Sequence, residues 1–222
     1  MSACPIRGIL WDLDGVLSDT QSIHSRCESL VLAEVGIAIP PETIGKDFSG
    51  STDRPLFTEI YRRHGRAITP EELDGLIERK RNLIFKILGE EGVPWVPGAQ
   101  ALLTSFAQGG FPMAIASSST LEFVRFITDR LGITPHFKSI TSGHEVPRSK
   151  PEPAIFLLAA QRIDVPPAEC LVVEDAALGL LAAKRAGIRS LALWPKEKTP
   201  PDATRVVHSF VGLDAQKVLG LF

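Results

Sequence analysis

The sequence predicts an α/β protein: a doubly wound core of parallel strands, interrupted near its start by an inserted all-helical cap. Three observations carry this prediction. The continuous apolar runs "MAIA" (113–116) and "CLVV" (170–173) suit strands covered on both faces, as in a parallel sheet. From Pro94 onward such runs alternate with helical patterns, the mark of βαβ units. Between the first strand and about residue 90 only helical spacing is found. The expected division is 1–18 with 93–222 as the core and 19–92 as the cap.

Taken in order, "IRGILWDL" (6–13) reads as a buried strand that ends in a turn at Gly15. Ile23, Cys27, Leu30, Val31 and Val35 then recur at helical spacing until Pro40 and Pro41 interrupt them. "DRPLFTEIYRRHG" predicts a second helix ending at Gly65. "TPEELDGLIERKRNLIFKILGEEG" predicts a third, with Thr69 as its cap, Pro70 at the first helical position and Glu72 completing a capping box. "PWVPG" reads as a linker into an apolar helix over 99–107. Strand and helix then alternate: "FPMAIASSS", "TLEFVRFITDRLG", "FKSITSG", "EPAIFLLAAQRIDV", "CLVVED", "ALGLLAAKRAG" and the strand "RSLALWP".

Composition narrows the functional classes. The 222 residues are 44% hydrophobic and 23% charged, with a formal net charge of −2, which suits an ordinary soluble globular protein. That balance supplies no electrostatic case for nucleic acid or an anionic membrane as partner. Cys4, Cys27 and Cys170 are scattered and lack metal-ligand spacing, as expected of reduced thiols in a cytoplasm. No signal peptide is expected from "MSACPIRGIL", and no apolar stretch is long enough to span a bilayer.

The polar clusters fall at the C-terminal ends of predicted strands, the edge where open parallel sheets bind ligands. Asp12 and Asp14 end the first strand, Ser117, Ser118 and Ser119 the second, and Glu174 and Asp175 the strand "CLVVED". Lys150, in "RSKPEP", precedes a helix on the same side. Carboxylates this close repel unless a cation sits among them, and a hard oxygen site of this kind suits Mg²⁺ completed by substrate phosphate. A carboxylate beside Mg²⁺ stays ionised and can attack phosphorus, while a second, two residues on, can serve as general acid and base. Plainer readings stand beside these. Ser117 could simply end a strand, Lys150 could be a solvated surface lysine, and Glu174 and Asp175 could cap the helix that begins near Ala176.

With these residues in place the chain resembles the haloacid dehalogenase superfamily, in its phosphatase and β-phosphoglucomutase-like branch with a small helical cap. "DLDGVLSDT", the serine of "AIASSS", the lysine of "SKPEP" and "VVEDAALG" match its four motifs in order, spread over residues 10 to 179. The resemblance implies a Rossmann-like core, Asp12 as the nucleophile that becomes an aspartyl phosphate, and Asp14 as general acid and base. It implies Mg²⁺ held by Asp12, the backbone carbonyl of Asp14 and Asp175, with Glu174 nearby, and Ser117 and Lys150 on the transferring phosphoryl group. Family dehalogenases and phosphonatases lack an aspartate at the position of Asp14, so its presence favours phosphoryl transfer.

The cap bears on the substrate. Lys80 falls within the apolar stripe of the third helix and resembles the mutase's cap lysine; it is either snorkelling past a core edge or pointing into a cleft. Gly50 matches the mutase's cap loop, but Ser49 stands where the mutase has lysine and Asp53 where it has arginine, with Arg54 one position later. His24 also has a mutase-like position, with a satisfied buried histidine as the plainer reading. Fewer fixed cations favour a phosphatase over a mutase. The expectation is therefore a Mg²⁺-dependent phosphomonoesterase for a small phosphorylated metabolite of the sugar-phosphate class. His24, Gly50, Arg54, Lys80 and Ser118 are its candidate substrate contacts, and the cap would close through linkers near 15–20 and 89–97. The alternatives are β-phosphoglucomutase and a phosphometabolite-binding protein without turnover. A cytoplasmic monomer or weak dimer is expected, with no nucleic-acid or membrane partner.

Overall fold

The computed structural model describes residues 5–48, 51–194, 200 and 202–222. The chain forms two compact units, Met1–Asp19 with Pro94–Phe222, and Thr20–Val93. The first opens with β1 (Gly8–Trp11), every residue of which is buried.

The second unit is helical: α1 (Gln21–Glu34), α2 (Pro41–Asp47), α3 (Asp53–Arg63) and α4 (Pro70–Glu91). Its own apolar core joins Val31 and Leu32 of α1, Ile44 of α2, Leu56, Phe57 and Ile60 of α3, and Leu73 and Leu76 of α4. Helix α4 starts on the capping box its sequence announces. The Thr69 hydroxyl accepts from the Glu72 N–H at 3.2 Å, and the Glu72 carboxylate accepts from the Thr69 N–H at 2.9 Å. Such a cap contributes about 1 kcal/mol. Helix α2 is absent from the sequence reading because its prolines look like a break. Pro41 instead occupies the first turn, where a missing N–H costs nothing.

The first unit resumes with α5 (Ala99–Gln108), β2 (Met113–Ser117), α6 (Leu121–Arg130), β3 (Ser139–Ser142), α7 (Ala154–Arg162), β4 (Cys170–Glu174), α8 (Ala177–Arg185), β5 (Arg189–Leu193), β6 (Arg205–Val207) and α9 (Ala215–Leu219). The strands make one sheet in the order β3-β2-β1-β4-β5-β6, and every pairing among them is parallel. This is the doubly wound α/β core that the alternating pattern predicts. Strand β6 escapes that pattern: at three residues, none of them fully buried, it has no apolar run to read. One side of the sheet packs Leu10, Ala114, Ala116 and Val172 against Ile155, Phe156 and Ala159 of α7 and Ala182 and Ala183 of α8.

The winding reverses at β1. From there the chain builds outward to β2 and β3 on one side, and to β4, β5 and β6 on the other. The crevice at such a reversal, beyond the carboxyl ends of the strands, is where open α/β sheets bind ligands. Trp11 is in register with Val173, so the residues that follow β1 and β4 emerge side by side. No helix among the described residues is long and apolar enough to cross a membrane.

Candidate active site

Asp12 leaves β1 still paired, its N–H donating to the Val173 carbonyl at 3.0 Å. The chain then turns sharply, with the Leu13 carbonyl accepting from the N–H groups of Leu17 at 2.9 Å and Ser18 at 3.0 Å. Gly15 makes the turn possible for two reasons. Its φ is +83°, and a Cβ there would stand 2.1 Å from Asp175 Oδ2. The glycine that ends "WDLDG" thus leaves room for a carboxylate arriving from β4.

Three carboxylates meet at this point. Asp12, Glu174 and Asp175 each present an oxygen within 4.8 Å of the others. Lys150 is the amine among them. Its Nζ donates to Asp12 Oδ1 and, at 2.7 Å, to Glu174 Oε1, and it lies 5.0 Å from the centre of the Phe156 ring. Glu174 does a second job at the same time. Its Oε2 accepts from the N–H groups of Asp175 at 2.7 Å and Ala176 at 2.9 Å, which places negative charge at the start of α8. Gly179 gives it space, since a Cβ there would sit 1.6 Å from Glu174 Oε1.

The electrostatics follow from crowding acids in a dry place. Burial pushes the Asp12 carboxyl up to about 8 against the pull of Lys150, and the charge on Glu174 adds to the rise. Burial likewise holds Asp175 well above the usual carboxylate range, with Glu174 and Asp12 reinforcing it. Burial works against the charged form of Lys150, but Asp12 and Glu174 outweigh it and hold the amine above the usual lysine range. One amine faces three carboxylates, all oxygen donors, in a pocket that two glycines keep clear. That donor set fits a small, hard divalent cation.

Ser117 is buried at the end of β2. Its Oγ accepts from the Ser119 N–H at 3.1 Å, and the Ser119 hydroxyl donates to Asp14 Oδ2 at 2.9 Å. The neighbouring Ser118 is exposed, its hydroxyl 3.1 Å from that of Ser149. The structure therefore brings Asp12, Asp14, Ser117, Lys150, Glu174 and Asp175 to one edge of one sheet. Ser119 is a link that the sequence reading places at the strand end without a role. The run of three serines is the only signal for it.

Residues 6–187 match the family model described as haloacid dehalogenase-like hydrolase. The chain belongs to this family. It is 32% identical over 213 residues to hexitol phosphatase A of Escherichia coli strain K12, covering 95% of this chain and 94% of that relative. The structure of CbbY from Rhodobacter sphaeroides in complex with xylulose-(1,5)-bisphosphate aligns with a TM-score of 0.83 at 25% identity, over 95% of this chain and 98% of that one. A β-phosphoglucomutase structure from Clostridium difficile aligns with the same TM-score at 24% identity, over 97% and 96% of the two chains, and shows the shared fold. These relatives fit the phosphatase and β-phosphoglucomutase-like branch, and phosphatase names among them support enzymatic phosphatase activity for this hydrolase.

The remaining candidates of this hydrolase lie in the helical unit. Lys80 is buried, with its amine between Asp53 and Glu28, the latter at 3.1 Å. Burial opposes its charge, but the two carboxylates prevail and raise its pKa above the ordinary lysine value. Arg54 is exposed and pairs with Asp74. His24 is half-buried in the first turn of α1. Gly50, with Ser49, lies outside the described residues. Glu28 is invisible to a reading of motifs, because only the packing of α1 against α4 brings it to Lys80.

Proposed function

We propose that this hydrolase is a Mg²⁺-dependent phosphomonoesterase for a small phosphorylated polyol or sugar, working through an aspartyl phosphate on Asp12. The observation that carries the reading is Asp12 at the sheet's reversal, bonded to the buried Lys150 and joined there by Glu174 and Asp175.

In this reading Asp12 attacks phosphorus as the bond to the leaving oxygen breaks, and Asp14 gives that oxygen its proton. In the second half Asp14 takes a proton from water as the water oxygen bonds phosphorus and the Asp12–phosphorus bond breaks. Lys150 favours the ionised form of Asp12 and neutralises phosphoryl charge, and the Ser117 hydroxyl holds a phosphoryl oxygen. Asp12, Asp175 and the Asp14 carbonyl would hold Mg²⁺ with Glu174 beside it, and the ion would supply fixed positive charge for the phosphoryl oxygens.

Two observations favour hydrolysis over mutase chemistry. Among relatives, the hexitol phosphatase covers nearly the whole chain at the 32% identity given above. In the helical unit the cations at positions 80 and 54 already have carboxylate partners, which weakens their hold on a second phosphate.

The test is phosphate release with Mg²⁺ from sorbitol 6-phosphate, mannitol 1-phosphate, hexose phosphates and β-glucose 1-phosphate, using the wild-type chain and Asp12→Asn. Release that EDTA abolishes, and that Asp12→Asn lowers by roughly 10³-fold or more, supports the reading. Conversion of β-glucose 1-phosphate to glucose 6-phosphate without net release would replace it with the mutase. No turnover of any ester would leave a binding protein.

A further inference from the structure

We propose that Ser119 is a positioning residue that locks the Asp14 carboxyl to Ser117, so that the proton donor and the phosphoryl-binding hydroxyl keep a fixed geometry. The inference rests on the reading of Asp14 as general acid and base given above.

Ser119 uses all three of its polar groups. Its hydroxyl donates to Asp14 Oδ2 at 2.9 Å and its N–H to Ser117 Oγ at 3.1 Å. Its carbonyl accepts from the Ser142 hydroxyl, at the end of β3, at 2.7 Å. The chain of bonds continues outward. The Ser142 N–H donates to Glu145 Oε2 at 2.7 Å, and Arg162 of α7 grips Glu145 through Nη2 to Oε1 at 2.7 Å and Nη1 to Oε2 at 3.3 Å. Ser119 is therefore held on both sides of its peptide by β2 and β3, and its hydroxyl has a fixed origin.

That matters because an aspartate carboxyl rotates in a broad, two-fold well about its last side-chain bond. A hydrogen bond from a fixed donor to one carboxyl oxygen selects one orientation. Asp14 lies in the turn between the end of β1 and Gly15, so the strand pairing of β1 leaves the direction of its carboxyl to side-chain bonds. The bond from Ser119 ties it to the strand that carries Ser117. Displacing a catalytic group by about 1 Å can lower a rate by roughly 10²-fold.

The proton from Asp14 is needed in proportion to how poor the leaving group is. A polyol or sugar alkoxide leaves only when protonated, whereas p-nitrophenolate leaves as a stable anion. Asp14 also serves as base in the second half, which is the same for every ester. Loss of the Ser119 hydroxyl should therefore damage the first class of ester selectively in kcat/KM, which reports only the steps through departure of the leaving group.

The experiment compares wild type, Ser119→Ala and Ser119→Thr on p-nitrophenyl phosphate and on whichever of sorbitol 6-phosphate, mannitol 1-phosphate and glucose 6-phosphate the wild type turns over fastest. The expected result for Ser119→Ala is a fall in kcat/KM on the alkyl ester of about 10- to 100-fold. The kcat/KM on p-nitrophenyl phosphate should fall by less than about threefold. Ser119→Thr, which restores a hydroxyl, should recover most of the alkyl-ester rate. Should Ser119→Ala fail to fold, Ser142→Ala removes the anchor on the Ser119 carbonyl and should give a smaller loss with the same selectivity. Equal losses of kcat/KM on both esters, or no benefit from threonine, would overturn the inference while leaving the phosphatase reading intact. A wild type that hydrolyses neither ester, or Asp12→Asn with undiminished activity, would remove the reading beneath it.

Discussion

Replacing Gly179 by alanine sets two physical effects against each other. In an ordinary helix the change should stabilise by up to about 1 kcal/mol, because alanine loses less backbone freedom than glycine on folding. In α8 the new methyl would stand 1.6 Å from Glu174 Oε1, so the carboxylate must retreat until that contact is at least 3.0 Å. Glu174 is only 1% exposed and cannot turn to solvent. Retreat strains its bonds to Lys150 at 2.7 Å and to the N–H groups of Asp175 and Ala176 at 2.7 and 2.9 Å. Disturbing a buried ion pair of this kind costs about 3–5 kcal/mol. The net loss should be about 2–4 kcal/mol after the gain in helix propensity. For a chain of this length that lowers Tm by roughly 5–15 °C. Urea and thermal unfolding in EDTA would measure it. In a Glu174→Ala background the same substitution should become neutral or stabilising, because the carboxylate it strikes is gone. A Gly179→Ala chain as stable as wild type would refute the argument that Gly179 is held open for Glu174.

Three further outcomes follow from the same geometry. Lys80→Met leaves Glu28 buried without its amine and should cost about 2–4 kcal/mol, while Lys80→Met with Glu28→Leu should recover most of that in urea unfolding. In metal-free protein, Asp12 has a folded pKa of about 8, raised from an ordinary 3.8. A raised acid stabilises fully below its unfolded pKa, so its contribution should fade as pH climbs from about 4 through 8. Thermal scans in EDTA should therefore show wild type losing ground to Asp12→Asn across that window, and a flat difference would refute the assignment. Gly75→Ala in α4 is the contrasting case. Its Cβ would meet only the mobile end of Arg79 at 3.4 Å, and it should gain about 0.5–1 kcal/mol by denaturant titration.

Much of this protein is legible in its sequence. The buried strands announced themselves as apolar runs, and Thr69, Pro70 and Glu72 marked the start of α4, because those signals are local. The acids stood out because aspartate is a poor strand residue and two carboxylates flanking Leu13 repel, although a strand end running into a polar turn gives the same pattern. Family resemblance then joined Asp12, Lys150, Glu174 and Asp175, which lie far apart in the chain. What stayed hidden depended on partners distant in sequence. Lys80 within an apolar stripe reads equally as a snorkelling side chain or a ligand, and only the packing of α1 and α3 against α4 supplies Glu28 and Asp53. The third serine of "SSS" is silent until the turn after β1 carries Asp14 to it. Gly179 looks like an ordinary small residue in a helix until Glu174 fills the space where its side chain would be. The sequence by itself determined which segments are strands and helices and where carboxylates interrupt them, since propensity and periodicity act over a few residues. The tertiary structure alone decided which charges are neutralised and which hydroxyl holds which acid, because hydrogen bonds and burial act between groups that the chain brings together only on folding.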